Sequence, residues 1–169
     1  MRAFGSSQGG TRREDLRFLT GAGRYIADTL PEGALHAAFL RAPVAHARIT
    51  ALAVEGARAM PGVRGIWTGA DLAGAGVNGP LWSVVARDRR GMAGASPPRP
   101  VLAEQVMCHM GEPVALVVAT SRAAAQDAIE AIGLEFDELP VHLANAPGGA
   151  AIHPQAPGNL AYDWRLGDP

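Results

Sequence analysis

Residues 113–140 decide the fold of this chain, and they read PVALVVATSRAAAQDAIEAIGLEFDELP. The first seven of these residues are apolar without alternation, which is typical of a strand that is buried on both faces. Ser121 is a suitable N-cap, and apolar residues then recur at helical spacing, so we predict a helix over 122–132. Residues 134–139 alternate between apolar and acidic types, which predicts a second strand. The order strand, helix, strand predicts a mixed α and β fold, and the lengths suit a right-handed crossover.

Shorter elements are predicted upstream of this unit. Apolar runs that are too short for helices predict strands at 35–40, 48–53 and 63–68. Residues 54–60 favour a short helix, which Pro61 and the glycine after it would end. Together with the downstream unit, these elements predict one α+β core.

Three segments lack a regular hydrophobic period. Residues 1–15 are mostly small and polar, so we expect a flexible arm before a domain at 16–143. Residues 74–100 collect glycine, proline and charged residues, and we expect a long, mobile loop there. Residues 144–169 are rich in alanine, proline and glycine, and we interpret them as an extended tail, a connection that leads elsewhere.

Composition excludes several classes of protein. The chain has 169 residues, of which 48% are hydrophobic and 18% are charged, so it can bury one ordinary core. A net charge of −1 without a basic patch argues against nucleic-acid binding. Cys108 is the only cysteine, which excludes an internal disulfide and favours a reducing compartment. With no apolar run near the ~20 residues of a membrane helix, we expect a soluble, cytoplasmic protein without membrane contact.

Glycines and histidines offer only weak site signals. Gly21-Ala22-Gly23 lacks the third glycine of a dinucleotide-binding loop. The histidines are at positions 36, 46, 109, 142 and 153, with no spacing typical of a zinc site. We therefore predict neither a nucleotide site nor a metal site.

Cys108, His109 and Glu112 are the residues with chemical potential. Neighbours on a strand point to opposite faces, so Cys108 and His109 favour a packed thiol beside a surface imidazole rather than a nucleophile and base. Glu112 would act as a general base only in a cleft that shifts its pKa. Alone, it is better interpreted as a turn carboxylate, and we predict no catalytic, cofactor-binding or metal-binding residue.

Several phrases, in this order along the chain, resemble the start of the large subunit of xanthine dehydrogenase, aldehyde oxidase and carbon monoxide dehydrogenase. They are REDLRFLTGAGRY at 13–25, AFLRAP at 38–43, AHARI at 45–49, MPGV at 60–63, TGADL at 68–72, GEPVA at 111–115, EFDELP at 135–140, HP at 153–154 and PGN at 157–159. The resemblance covers most of the chain. It implies the α/β-hammerhead domain of this family, with the strand-helix-strand unit near 113–139 in a mixed sheet.

The resemblance also implies a function for the complete enzyme. In that family the large subunit binds molybdenum through a pterin cytosine dinucleotide and hydroxylates its substrate, and electrons leave through iron–sulfur clusters and FAD. The pterin-binding loops and the catalytic glutamate lie in later domains, so the resemblance implies a truncated, inactive piece of an oxidoreductase. Its expected partners are the catalytic molybdopterin-binding domains or subunit and the iron–sulfur and FAD subunits, and a homo-oligomer is a further expected assembly.

Two functional classes stay open at this point. One is a structural and assembly domain of a molybdenum hydroxylase, without catalysis of its own. The other is a free-standing hammerhead module that binds or scaffolds without redox activity. An excised fragment with no independent role is a third interpretation, and the genes beside this one would distinguish among them.

We predict that the purified chain carries no molybdenum, iron or flavin, because it has neither the pterin loops nor a cysteine cluster. Elemental analysis and an absorption spectrum of the protein measure this directly. Stoichiometric metal or a flavin band would contradict the prediction.

Overall fold

The computed structural model of the chain describes residues 12–79, 85–88, 90–163 and 167. Two compact units divide the chain between Ala34 and Leu35. Most of the expected N-terminal arm, residues 1–11, lies outside the described residues.

The first unit is organised by local contacts. Helix α1, Asp15–Leu19, is followed by a single 3-10 turn, Ile26–Asp28. The rings of Phe18 and Tyr25 stack with centroids 5.7 Å apart, and the Asp28 carboxylate accepts a hydrogen bond from the Tyr25 backbone at 2.9 Å. These contacts hold residues 15–28 together as a local structure.

The second unit contains six strands and three α-helices among its described residues. In chain order they are β1 (His36–Arg41), β2 (Ala47–Ala53), α2 (Glu55–Arg58), β3 (Val63–Thr68), α3 (Gly69–Gly74), β4 (Val106–Met107), β5 (Pro113–Ala119), α4 (Arg122–Glu130) and β6 (Gly133–Glu138). The predicted strands and the two predicted helices are confirmed, with ends that shift by one or two residues.

The strands form two antiparallel three-stranded sheets. In sheet one, β5 lies between β1 and β3, and in sheet two, β2 lies between β4 and β6. The mixed α and β class is therefore confirmed, but the predicted right-handed crossover is wrong. Both edges of β5 are already paired with β1 and β3, so α4 leads the chain to the other sheet instead of to a parallel neighbour.

Helix α4 covers the inner face of sheet one and contacts all three of its strands. The Ser121 hydroxyl accepts a hydrogen bond from the Ala124 N–H at 3.1 Å, which confirms the predicted N-cap. Ala125 and Ala128 are buried, and small side chains there let the helix approach the sheet closely. Ile132 follows the last helical turn and is still part of the core.

Two clusters of buried apolar residues make up the core. The larger lies between sheet one and α4 and includes Ile66, Ala115 and Val117. The smaller lies on the inner face of sheet two and includes Ala47 and Met107. Leu40 and Leu52 pack against both clusters, so the two sheets share one continuous apolar interior.

Helix α3 lies between the predicted strand at 63–68 and the expected loop at 74–100, in a stretch for which no element was predicted. Thr68 and Asp71 form a reciprocal capping box, with the Thr68 N–H donating to Asp71 at 2.8 Å. Hydrogen bonds from the Thr68 backbone and hydroxyl lower the pKa of Asp71, and Arg58 adds to this effect while burial opposes it. The spacing of Thr68 and Asp71 is a start signal that could have identified this helix.

The expected loop at 74–100 is anchored near its beginning. The Asn78 side-chain amide donates to the Leu102 carbonyl at 3.0 Å, and its oxygen accepts from the Leu102 N–H at 3.0 Å. Arg87 and Ala93 form an isolated antiparallel bridge. Residues 80–84 and 89 lie outside the described part, and the predicted mobility of the loop stays a prediction.

Residues 148–159 in the predicted tail form a closed loop. The Asn159 side chain donates to the carbonyls of Gly148 and Ala150 at 2.9 and 2.8 Å and accepts from the Ile152 N–H at 2.9 Å. Asn159 is the one non-glycine residue with a positive φ in the described chain, a conformation that Asn tolerates better than most residues. Trp164, near the end of this predicted tail, lies outside the described residues.

We predict that Val117→Asp lowers the free energy of unfolding by about 3 kcal/mol or more, because it places an unpaired charge in the core. Val117 is fully buried against α4, whereas its neighbour Val118 is half-buried on the other face of the strand. Val118→Asp is the matched control and should cost much less. Urea denaturation of both variants measures the difference, and equal losses would contradict the packing described here.

Candidate functional site

Glu112 occupies the turn that leads into β5, and it is buried. Its carboxylate accepts a hydrogen bond from the Cys108 N–H at 2.5 Å, and its own N–H donates to the His109 carbonyl at 3.2 Å. Its carbonyl accepts from the Ala42 N–H at 2.8 Å. Glu112 therefore lies in a turn, as expected, and its carboxylate satisfies a backbone donor that would otherwise lack a partner.

Cys108 is a poor nucleophile in this environment. Burial raises the pKa of its thiol to about 11, and the nearby Glu112 carboxylate contributes in the same direction. The thiol is therefore protonated at neutral pH, whereas reactive cysteines depend on the thiolate. His109 is exposed, with its Nδ1 3.8 Å from Glu112 Oε2, so the expected surface imidazole is present, whereas Cys108 is only half-buried and follows the end of β4.

The other histidines have separate environments. His46 is buried, and its Nδ1 lies 2.8 Å from the Pro140 carbonyl oxygen. His142 Nε2 lies 2.8 Å from the Ala146 carbonyl oxygen, and His36 opens β1 in a half-buried position. Each of the first two rings therefore fixes a loop carbonyl.

His153 is brought close to Glu112 by the loop at 148–159. Burial lowers its pKa, the Glu112 charge raises it, and His46 and His109 lower it further. The net direction is downward, so His153 is neutral at pH 7. Three histidines and one carboxylate thus influence each other here, although they are far apart in sequence.

A cavity of about 340 Å³ opens beside this cluster. Arg99, Cys108, His109, Glu112 and His153 contribute the polar part of its lining, and prolines contribute much of the rest. Arg99 was missed by sequence reasoning, because nothing local to it indicates a contact with the turn at Glu112. Within the described residues, no group of three or more His, Cys, Asp or Glu side chains is placed to hold a metal ion.

The chemistry available in this cavity is limited. The thiol is protonated, so it is not an activated nucleophile, and one oxygen of the Glu112 carboxylate is already bound to the Cys108 N–H. The charge of Arg99 and the hydrogen-bonding atoms of the histidine rings can instead bind a polar group or hold a nearby segment of the chain.

The glycine pair at 21–23 ends a helix instead of opening one. Gly21 follows α1 with a φ of 71°, a left-handed conformation that glycine adopts without strain. A dinucleotide-binding loop needs a strand before it and a helix N-terminus after it.

Among the described residues, each helix is too short or too polar to span a membrane.

These features define a small α/β domain with two antiparallel sheets and buried polar groups that serve its turns. The family described as "Aldehyde oxidase and xanthine dehydrogenase, a/b hammerhead domain" matches residues 20–140. The chain belongs to this family, and the hammerhead fold expected from the sequence is confirmed.

Three similar proteins are large or molybdenum-binding subunits. The nicotine 6-hydroxylase large subunit of Paenarthrobacter nicotinovorans is 42% identical over 91% of this chain and 18% of its own length. The carbon monoxide dehydrogenase large chain of Hydrogenophaga pseudoflava is 37% identical over 86% of this chain and 16% of its own length. The xanthine dehydrogenase molybdenum-binding subunit of Escherichia coli O157:H7 is 32% identical over 84% of this chain and 19% of its own length.

Solved structures show the same fold. Quinoline 2-oxidoreductase from Pseudomonas putida 86 matches 82% of this chain with a TM-score of 0.67 and 44% identity. A Cu,Mo-containing carbon monoxide dehydrogenase matches 79% of it with a TM-score of 0.64 and 33% identity. This chain covers 16% of each of those chains, so it spans a small part of the proteins it resembles.

We predict that Cys108 reacts slowly with iodoacetamide at pH 8 and that its rate rises about tenfold per pH unit, because the thiolate forms only near pH 11. Glu112→Gln removes a neighbouring negative charge, so it should lower the thiol pKa and raise the rate at pH 8. Since burial is the larger cause, the pKa of the variant should stay above its ordinary value of 9.0. Glu130→Gln, on the exposed side of α4, is the control, and equal rates in both variants would contradict the electrostatic coupling.

Proposed function

We propose that this chain is a non-catalytic structural and assembly domain of a molybdenum hydroxylase. One observation carries the proposal: the chain belongs to the hammerhead family, yet it covers only 16–19% of the three similar subunits. The similar proteins are oxidoreductase subunits, and one is named as molybdenum-binding. The remaining length of such a subunit would supply the site of the reaction.

The chemistry of the described residues supports this division of labour. No metal-ligating group of three is present among them, and the thiol that lines the cavity beside Glu112 is protonated. These residues do not fit an iron–sulfur centre, so we assign no reaction step to them. In the proposed assembly, molybdenum, the pterin cytosine dinucleotide, iron–sulfur clusters and FAD belong to other domains or subunits.

The organisation of the chain follows from the same proposal. Residues 1–15 act as an arm, 16–143 as the hammerhead domain, and 144–169 as the connection toward the catalytic part. The partners are the molybdopterin-binding domains, the iron–sulfur subunit and the FAD subunit, and the assembly is cytoplasmic.

A chimera tests the proposal. In the nicotine 6-hydroxylase large subunit, the segment that matches this chain is replaced by this chain or deleted, and each form is produced with its companion subunits. We expect the chimera to co-purify with them and to contain molybdenum by elemental analysis, and the deletion to fail in both respects. Glu112→Gln in the chimera should leave kcat unchanged.

Two results would contradict the proposal. A deleted form that assembles as well as the chimera would show that the domain is dispensable for assembly. A large loss of kcat in Glu112→Gln at unchanged molybdenum content would show that the domain takes part in catalysis.

A further inference from the structure

The outer face of sheet one, opposite α4, is apolar and open. Across it, Phe39 lies in register with Leu116, and Leu116 with Trp67. The next row pairs Ala37 with Val118 and Val118 with Gly65. Phe39 and Trp67 are 41% and 40% exposed, so two large aromatic groups stand on this face without full cover.

β5 has the composition of a strand that is buried on both faces. A strand with one face in water alternates between apolar and polar residues, whereas β5 is apolar throughout. Its inward residues, such as Ala115 and Val117, pack against α4, while Leu116 and Val118 point to the open side and are only half-buried. β5 thus has two apolar faces, of which the inner one is covered by α4.

The outer face of sheet two provides an internal comparison. There Arg48 and Asp137 lie opposite each other and are exposed, and Glu135 is exposed beside them. This strand pair has the alternation expected of a sheet with one face in water. The outer face of sheet two therefore suits contact with water, whereas the outer face of sheet one suits contact with another apolar surface.

The Trp67 ring lies against its own strand. A Cβ atom on Gly65 would overlap the ring. The Arg41 guanidinium lies over the Phe39 ring, 5.5 Å from its centroid, and places a positive charge at the border of the face. An aromatic and aliphatic centre with a charged border is typical of a protein interface.

We propose that this face, centred on Phe39, Leu116 and Trp67, is the docking surface for the rest of the large-subunit chain, which presents an apolar patch with a carboxylate opposite Arg41. This inference rests on the proposed function and names the surface through which it operates. The relatives indicate what kind of partner covers this face. In each of them, this chain matches only 16–19% of a longer chain, and the rest of that chain is the partner we propose. An apolar face of this kind prefers such a permanent partner to water.

The same chimera tests this surface by oxidative footprinting with mass spectrometry. Trp67 should be readily oxidised in the isolated chain and at least about tenfold protected in the assembled chimera. Trp67→Ser should weaken assembly of the chimera about tenfold or more, as expected for a central aromatic contact. Its effect on the thermal stability of the isolated chain should be small. Arg48→Ser, on the charged outer face of sheet two, is the matched control and should leave assembly unchanged.

Three outcomes would overturn the inference, and they are distinguishable. If the chimera assembles but Trp67 stays as reactive as in the isolated chain, the docking surface lies elsewhere and the proposed function stands. If the chimera does not assemble at all, both proposals fail together. If the isolated chain sediments as a dimer in which Trp67 is protected and Trp67→Ser makes it monomeric, a second copy occupies the face instead.

Discussion

The pairing of β5 with a neighbour on each edge is the constraint on which the rest of the domain depends. β1 and β3 satisfy the backbone hydrogen bonds on both of its sides, so the central strand needs no polar partner elsewhere. Its inward side chains can then be small and apolar, which lets α4 pack closely above them. The helix in turn carries the chain across to β6, and this step places the second sheet beside the first.

Backbone hydrogen bonds around Glu112 connect the start of β5 to the neighbouring loops. The Ala42 N–H donates to the Glu112 carbonyl, the Gly111 N–H donates to the Ala42 carbonyl, and the Ala103 N–H donates to the Pro113 carbonyl. Gly111 has a φ of 84°, which a residue with a side chain rarely adopts. The turn at 108–112 therefore fixes where β5 begins relative to the connection between β1 and β2.

Much of the fold could be predicted from the sequence where a pattern is local. The Ser121 cap, the helical period after it and the unbroken apolar run before it each carry their own signal, and each was correct. The pairing of strands was not predictable in the same way, because it depends on which distant segment fills the edges of β5. The right-handed crossover was expected from the lengths of the three elements, and it is wrong because β5 and β6 belong to different sheets. Helix α3 shows the reverse case, since the spacing of Thr68 and Asp71 was a local signal that was overlooked.

The candidate site shows the same limit and also explains one phrase of the sequence. Glu112 and Cys108 were identified by residue type, but their environment depends on a backbone contact and on burial that only the folded chain reveals. Arg99 and His153 line the same cavity, but they come from other segments, and no sequence spacing links them to Cys108 and Glu112. Every residue of the phrase at 111–113 serves the fold, since the glycine permits the left-handed turn, the glutamate accepts the Cys108 N–H, and the proline opens the central strand. A buried carboxylate in such a turn is explained by the fold alone, so its presence is no argument for catalysis by this domain.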